Sequence, residues 1–276
     1  MMVNNDQSER KLFELVSQMN FLSDIPFIFD KDIFEYDIKQ ANIHALLAIR
    51  EITPEHYEYY SKIPKQMREV EIGYLLQSNP EIYPKMQEVI KEAKRQFVSK
   101  NDIKQSQILR IANDSIYIIS PYKSIDTHIV INDVDLEFVC KNRFNTYMRL
   151  DKKVLFFLDT RGDFWNLDIK GINKDKINLH QDMLSRICNI VDARINGDKE
   201  IAIKQLIDLQ NEYITKSLPY TCYRELNSDS CFRFTINNTG KGYLINSLPD
   251  YPDINSIDIN YNLYILRNIY SYIMQS

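Results

Sequence analysis

The sequence contains little of what zinc sites and flexible linkers require. Its four cysteines and four histidines occur without ligand spacing such as CxxC, so a structural zinc site is not expected. Cysteines without a disulfide framework are reduced by default in a cytosolic protein. The 276 residues include only six glycines and no low-complexity tract. The composition is therefore that of a globular protein, long enough for one large domain or two smaller ones.

Long apolar runs are also absent. None approaches the roughly 20 residues that a membrane-spanning helix needs. The N-terminus has no apolar segment behind a basic start, so no signal peptide is predicted. The formal net charge of −4 gives no global attraction to nucleic acid. Local basic patches can still bind nucleic acid, because a charged ligand responds to the electrostatic potential of the surface patch it approaches.

The order of the predicted elements indicates an α+β fold. A helix over residues 7–21 precedes a strand that ends near Asp37. Two later helices begin at prolines. Thr53 caps the first of them before Pro54, and Pro64 opens the second. A long helix, a β-rich stretch and a helical stretch follow, over residues 80–101, 107–172 and 178–216 respectively. We therefore expect an antiparallel sheet with helices on one face, followed by a mainly helical C-terminal domain.

Asp114 raises the functional question. It lies in Arg110–Ser120, "RIANDSIYIIS", between two apolar arms that predict strands joined by a tight turn, with the acid exposed at the tip. Asn113 and Ser115 suit such a turn, so in one interpretation the acid belongs only to the turn chemistry. In the other interpretation it binds a metal together with a second acid. The candidate partner is Asp37, at a strand end that can lie in the same sheet.

Two strand-end carboxylates can bridge a pair of Mg²⁺ ions, which prefer hard oxygen ligands and need no histidine or cysteine. Such ions lower the pKa of an attacking hydroxyl and stabilise the leaving oxygens, which is the minimal chemistry of nucleotidyl transfer. Acidic pairs arise easily in a chain with 38 acids, so solvated turn acids remain the open alternative at this point. Glu35, two residues before Asp37, is interpreted as a solvated strand residue.

Several stretches resemble family B DNA polymerases, in the order that the family has them. "FEYDIKQANIHAL" resembles the first palm motif, in which a strand ends in a metal-binding Asp, and "RIANDSIYII" resembles the YxDTDS motif, in which the second Asp binds metal. "KQMREVEIGYLL" resembles in position the fingers helix that grips the incoming triphosphate. "KEAKRQFVSKNDI" resembles the helix that leads into the catalytic hairpin. "KKVLFFLDTRGDFWNLDIKGINKDK" resembles the KKxY segment with the D-x-K-G strand that follows it. "INGDKEIAIKQLIDLQNEYI" resembles a helical thumb. The resemblance covers most of the chain from about residue 30 onward.

The resemblance implies a role for each matching residue. Asp37 and Asp114 are the implied catalytic residues and hold two Mg²⁺ ions, for which Mn²⁺ can substitute. The implied nucleotide-binding residues are Lys65, Arg68, Asn42 and Ile38. The implied nucleic-acid contacts are basic residues on the protein surface, namely Lys152, Lys153, Lys170 and Lys94.

The sequence also departs from the family. The exonuclease region is absent, and the fingers are much shorter than usual. Ala112 replaces the first Asp of the DTDS motif, Leu155 follows "KKV" where the family has a Tyr, and Ile72 replaces a fingers Asn. Asn42 replaces the Tyr whose ring rejects a ribose 2′-hydroxyl, so the use of ribonucleotides is an open possibility. The alternative interpretation of Asn42 is a helix N-terminal cap.

The resemblance implies four regions: an N-terminal segment with the first part of the palm over residues 1–50, short helical fingers over 51–100, a palm with the catalytic hairpin over 101–175, and a thumb-like domain over 176–276. The expected function is template-directed nucleic-acid synthesis by a minimal phage- or virus-encoded DNA polymerase. The alternatives are an RNA polymerase or primase, or an inactive subunit that binds nucleic acid. The expected partners are primer–template, nucleoside triphosphates and other replication or transcription proteins, without a membrane. The expected location is the host cytoplasm or the virion.

Overall fold

The computed structural model describes residues 3–120, 125–235, 242–247 and 253–276. The chain forms two compact units. The N-terminal unit comprises Met1–Asp24 and Asp32–Arg143, and the C-terminal unit comprises Ile25–Lys31 and Phe144–Ser276. Eight α-helices occur in the described residues, and every strand pairing with a described register is antiparallel, so the α+β class is confirmed.

The N-terminal unit contains five helices and a mainly antiparallel sheet. Its helices are α1 (Val3–Val16), α2 (Ala41–Ala48), α3 (Pro54–Lys62), α4 (Lys65–Ser78) and α5 (Ile82–Lys100). Its strands are β1 (Asn20–Leu22), β2 (Phe27–Ile38), β3 (Ile108–Ala112), β4 (Ser115–Ile119), β5 (His128–Ile131) and β6 (Val134–Arg149), with β2 and β6 continuing into the C-terminal unit. The strand order is β1-β3-β4-β2-β6, and β5 pairs with β6.

Helices cover one face of this sheet, as predicted. Tyr36 and Ile116 are paired across β2 and β4 and are buried in one core with residues of α2 and α5. In that core the ring of Phe97 from α5 lies 5.4 Å from the ring of Tyr36 and 4.1 Å from the ring of Phe138. Because side chains alternate along a strand, Glu35 and Asp37 point to the opposite face.

The local helix signals in the sequence are also confirmed. Thr53 caps α3, and its hydroxyl accepts a hydrogen bond from the His56 N–H at 3.4 Å. Pro54 occupies the first helical position, where its missing N–H removes no helical hydrogen bond. Pro64 directly precedes α4. No helix in the described part of the chain is both long and apolar enough to cross a membrane.

The C-terminal unit combines strands with three helices. The end of β6 pairs with β7 (Leu155–Asp159), which pairs with β8 (Asn166–Lys170). The helices are α6 (Gln181–Ile195), α7 (Lys199–Ile214) and α8 (Asn260–Gln275). Gly197, at a φ of 87°, forms the predicted break between α6 and α7. The domain predicted as mainly helical also contains a two-stranded sheet, β9 (Phe232–Thr235) with β10 (Gly242–Ile245).

The chain divides after Arg143, whereas the palm–thumb boundary suggested by the resemblance lies at 175/176. That boundary and the other region limits remain predictions. Parts of the first, third and last regions, residues 1–2, 121–124, 236–241 and 248–252, lie outside the described residues.

His180 is buried in the C-terminal unit in a site that suits only its neutral form. The Ser230 hydroxyl donates to the Asn227 carbonyl at 3.1 Å, so it accepts from His180 Nε2 at 2.9 Å. Nδ1 has no hydrogen-bond partner among the described residues. Burial, with smaller contributions from the charges of Arg224 and Lys176, lowers the pKa of His180 from 6.5 to about 4.

We therefore expect acid to destabilise the protein through His180. Because the folded-state pKa lies below the unfolded value, the stabilisation is complete above the unfolded pKa of 6.5 and is lost progressively as the pH falls from there toward the folded-state pKa of about 4. The free energy of unfolding should drop by about 1–2 kcal/mol between pH 7 and pH 5 from this group. Urea denaturation of His180→Gln should show a smaller drop. The exposed His56, changed to Gln, is the control and should keep the full drop. An unchanged drop in His180→Gln would contradict the assignment.

Candidate metal centre

The fold brings the two predicted acids together at one edge of the N-terminal unit. Asp37 of β2 pairs with Ser115 of β4, so it lies directly beside the turn that carries Asp114. The Ile38 N–H donates to the Asp114 carbonyl at 3.2 Å. The charge of Asp37 also reaches the Asp114 carboxyl, because it helps to raise the pKa of that carboxyl. The candidate pair therefore forms from residues that are far apart in sequence.

The hairpin prediction is confirmed, with Asn113 and Asp114 as the two residues between β3 and β4. Asn113 adopts a φ of 49°, a left-handed conformation that Asn tolerates well. The Ser115 hydroxyl donates to the Ala112 carbonyl at 2.9 Å, so Ser115 shapes the turn as expected. The predicted exposure of Asp114 is wrong, because its side chain is half-buried. That burial, followed by the charge of Asp37, raises the pKa of the Asp114 carboxyl.

Lys94 is not the surface residue that the sequence suggested. Its side chain is fully buried, and its Nζ donates to the Gln18 carbonyl at 3.1 Å and to the Asn113 carbonyl at 2.9 Å. Burial lowers the pKa of Lys94 to about 8, while the charge of Asp114 acts in the opposite direction. The expected nucleic-acid contact is therefore wrong for this lysine. Its ammonium group instead stabilises the β3–β4 turn through the hydrogen bond to the Asn113 carbonyl.

Glu35 is also buried, at 2% exposure, and is not the solvated strand residue that was expected. Its carboxylate accepts a hydrogen bond from the Tyr117 hydroxyl at 2.6 Å and one from Asn142 Nδ2 at 2.6 Å. Tyr117 is its cross-strand partner on β4. The sequence did not identify Tyr117 or Asn142 as partners of Glu35. The available signal was the spacing of Glu35 two residues before Asp37, which places both acids on the same face of β2.

Lys141 of β6 is the main residue that sequence reasoning missed. Its Nζ lies 3.1 Å from Asp37 Oδ2. Burial lowers the pKa of Lys141, but the hydrogen bond with Asp37 and the charges of Asp37, Glu35 and Asp114 outweigh it, so the pKa is raised. The charges of three carboxyl groups thus act on one ammonium group, which is in direct contact with Asp37. No local motif marks Lys141, because its role depends on β6 lying beside β2.

The two fingers residues differ in their relation to the acids. Lys65, at the start of α4, is exposed and lies near enough to Asp114 for its charge to lower the pKa of that carboxyl. Its Nζ is 3.5 Å from Glu69 Oε1. Arg68 donates from Nη1 to the Tyr60 carbonyl at 3.4 Å. The charge of Lys65 thus acts on the Asp114 carboxyl, whereas the described contact of Arg68 is with α3.

Asn42 is exposed at the second position of α2, four residues after the end of β2 at Ile38. The N-cap of α2 is Gln40, which has a φ of 50° and no side-chain capping bond. The alternative interpretation of Asn42 as the cap is therefore wrong. Ile38 is buried, and its described contribution toward the acids is the backbone bond to Asp114.

The remaining predicted contacts are in the C-terminal unit. Lys152 and Lys153 are exposed in a turn that Asp151 stabilises, because Asp151 Oδ1 accepts from the N–H groups of Lys153 and Val154 at 2.6 and 2.7 Å. Lys170, at the end of β8, forms an ion pair with Asp168 at 2.7 Å. Their contact with nucleic acid remains a prediction.

The two acids have the ligand chemistry that Mg²⁺ prefers, but a magnesium site would need further ligands to be complete. Among the described residues, no group of three or more His, Cys, Asp and Glu side chains is arranged to hold a metal, so Glu35 is not a third ligand. Asp37 and Asp114 supply two carboxylates. Mg²⁺ commonly binds through one or two carboxylates together with water and substrate phosphates. The Lys141 ammonium beside Asp37 shows that this position attracts a cation.

Comparison with known proteins gives one family. The model of the family described as "Bacteriophage PBS1 gene 130 protein" matches residues 10–274, nearly the whole chain. That description states no activity. No curated protein matches the sequence.

Proposed function

We propose that this chain, which belongs to the family of the bacteriophage PBS1 gene 130 protein, is a phage-encoded, template-directed nucleic-acid polymerase with a two-metal mechanism. The observation that carries the proposal is the juxtaposition of Asp37 and Asp114 across β2 and the β3–β4 turn. Helices cover one face of the sheet, and Asp37 points to the other face by the alternation of side chains along β2. The resemblance of the surrounding motifs to family B DNA polymerases supports the same function.

Asp37 and Asp114 would hold two Mg²⁺ ions, with Mn²⁺ as a substitute; when bound, these ions lower the pKa of the primer hydroxyl and stabilise the leaving oxygens. The primer 3′-hydroxyl attacks the α-phosphate in line, its proton passes to solvent, and pyrophosphate leaves. Lys65 neutralises triphosphate charge from the start of α4, with Arg68 one turn further along the same helix. Lys94 keeps the turn in place from its buried position.

The remaining polymerase roles follow the resemblance. The sheet of the N-terminal unit is the palm, and the helices over residues 51–100, α3 to α5, form the short fingers. Helices α6 to α8 form the thumb. Lys152, Lys153 and Lys170 contact the nucleic-acid backbone, where contacts position a duplex without reading its sequence.

Primer extension tests the proposal. Purified protein, a labelled primer on a DNA or RNA template, and Mg²⁺ or Mn²⁺ are combined with deoxyribonucleotides or ribonucleotides. We expect template-dependent extension with at least one combination. Absence of extension with every combination, from protein that is shown to be folded, would contradict the proposal.

A second candidate is ribonucleotide synthesis on the same site, because Asn42 is exposed and small where the polymerases that the sequence resembles have a Tyr. Asn42→Tyr should lower the ratio of ribonucleotide to deoxyribonucleotide incorporation by about tenfold or more, since the added ring fills the space of the 2′-hydroxyl. Single-nucleotide incorporation kinetics measure this ratio. Asn42→Asp, which keeps the size, is the control and should retain the wild-type ratio. An unchanged ratio in Asn42→Tyr would rule out Asn42 as the sugar-selecting residue.

The third candidate is an inactive subunit that binds nucleic acid. The contact between Lys141 and Asp37 favours it, because a lysine bound permanently to the acid would replace the metal. In that case the protein would bind primer–template in a gel-shift assay but would not extend it. Wild-type extension would exclude this candidate.

A further inference from the structure

Three lysines lie around the acid pair, and they differ in whether they can move. Lys94 is fully buried and donates to two carbonyls, so it is fixed. The side chains of Lys65 and Lys141 are 77% and 55% exposed, so each can withdraw into solvent at little cost. Lys141 is the one of the two with a direct contact to Asp37.

Glu35 and Asp37 receive hydrogen bonds from different kinds of donor. Glu35 is satisfied by neutral donors, the Tyr117 hydroxyl and the Asn142 amide. Asp37 instead receives the ammonium group of Lys141. On β6, Lys141 therefore places a cation beside Asp37, and the adjacent Asn142 places a neutral amide beside the buried Glu35.

We propose that Lys141 is a placeholder for a divalent cation: its ammonium group occupies Asp37 in the metal-free protein and withdraws when the cation binds. This inference rests on the proposed function, because it takes Asp37 and Asp114 as the metal ligands. The placeholder limits the repulsion between two carboxylates that have no metal between them. It also competes with the metal, so it sets the cation concentration at which the site fills.

Competition predicts opposite effects for two substitutions. Lys141→Met keeps the apolar stem but removes the charge, so Mn²⁺ should bind about two- to fivefold more tightly, as expected for the loss of an exposed ion pair. Lys141→Arg can form a two-bond pair with the carboxylate and should weaken Mn²⁺ binding by a similar factor. A merely structural role would give no tightening in Lys141→Met.

The experiment is a titration of the purified full-length protein with Mn²⁺ at constant ionic strength, with free Mn²⁺ measured by electron paramagnetic resonance. Wild type is compared with Lys141→Met, Lys141→Arg and Asp37→Asn. Lys85→Ala is the matched control, because Lys85 forms an ion pair of similar exposure with Glu51 at 3.3 Å. Circular dichroism checks that each variant is folded.

The expected result is tighter binding in Lys141→Met, weaker binding in Lys141→Arg, unchanged binding in Lys85→Ala and lost binding in Asp37→Asn. If Asp37→Asn loses binding but Lys141→Met does not gain affinity, the placeholder inference is wrong and the metal centre stands. If wild type does not bind Mn²⁺, or if Asp37→Asn binds it as wild type does, the metal centre and the inference are both wrong.

Discussion

Replacing Asp114 with Asn should reduce primer extension by at least about a thousandfold. The change keeps the size and turn geometry but removes one of two carboxylates, and the loss of several kcal/mol of transition-state stabilisation corresponds to about that factor. Asp37→Asn should have an effect of the same order, because the two acids act as one unit. Steady-state incorporation of one nucleotide on a primed template measures both.

The chain contains a matched control for Asp114. Asp133 also follows an Asn in a two-residue hairpin turn, between β5 and β6, and Asn132 has the same φ of 49° as Asn113. Asp133 is exposed, whereas Asp114 is half-buried beside Asp37. Asp133→Asn should therefore leave extension within about twofold of wild type, as a surface change away from the site. Equal activities of Asp114→Asn and wild type would contradict the assignment of Asp114.

Replacing Gly171 with Ala should destabilise the C-terminal unit by about 2–4 kcal/mol. Gly171 has a φ of 91°, where L side chains are strained, and an added Cβ would lie 2.3 Å from the Lys153 carbonyl oxygen. Because that oxygen belongs to the backbone, the turn at Lys152 and Lys153 would have to move away from the end of β8. The same glycine thus keeps these two lysines next to Lys170.

Two other glycines separate backbone strain from the clash. Gly197→Ala has a φ of 87° but open space, so it should cost about 1–2 kcal/mol from strain alone. Gly162→Ala meets its nearest atom at an ordinary 3.5 Å and should change stability by less than about 0.5 kcal/mol. Urea denaturation followed by the fluorescence of Trp165, the only tryptophan, reports on this unit. Equal losses in Gly171→Ala and Gly197→Ala would show that the close approach to Lys153 is not what requires glycine.

Features that depend on short stretches of sequence could be predicted. The end of β2 near Asp37, the turn at Asn113 and Asp114, and the cap at Thr53 each follow from alternation, turn residues or capping over a few positions. The juxtaposition of Asp37 and Asp114 could be expected because both lie at the ends of strands in one sheet. The structure confirms this arrangement, while its catalytic role remains a prediction.

Features that depend on distant strand and helix neighbours could not be predicted. Lys94 looks like a surface lysine in a charged helix, and only the packing of α5 against the β3–β4 turn shows that it is buried. Glu35 and Lys141 acquire their partners because β2 lies between β4 and β6, an order that no local pattern contains. The family match covers the chain but describes no activity, so it did not supply these roles either.

The most direct test of the central claim is anomalous diffraction from crystals grown with Mn²⁺ and a nucleoside triphosphate. We predict an anomalous peak about 2.0–2.3 Å from a carboxylate oxygen of Asp37 and from one of Asp114, with the triphosphate completing the coordination. The Lys141 ammonium should then lie away from Asp37. A structure with nucleotide bound, no peak at the two acids and Lys141 still paired with Asp37 would contradict the claim that these acids form a metal centre.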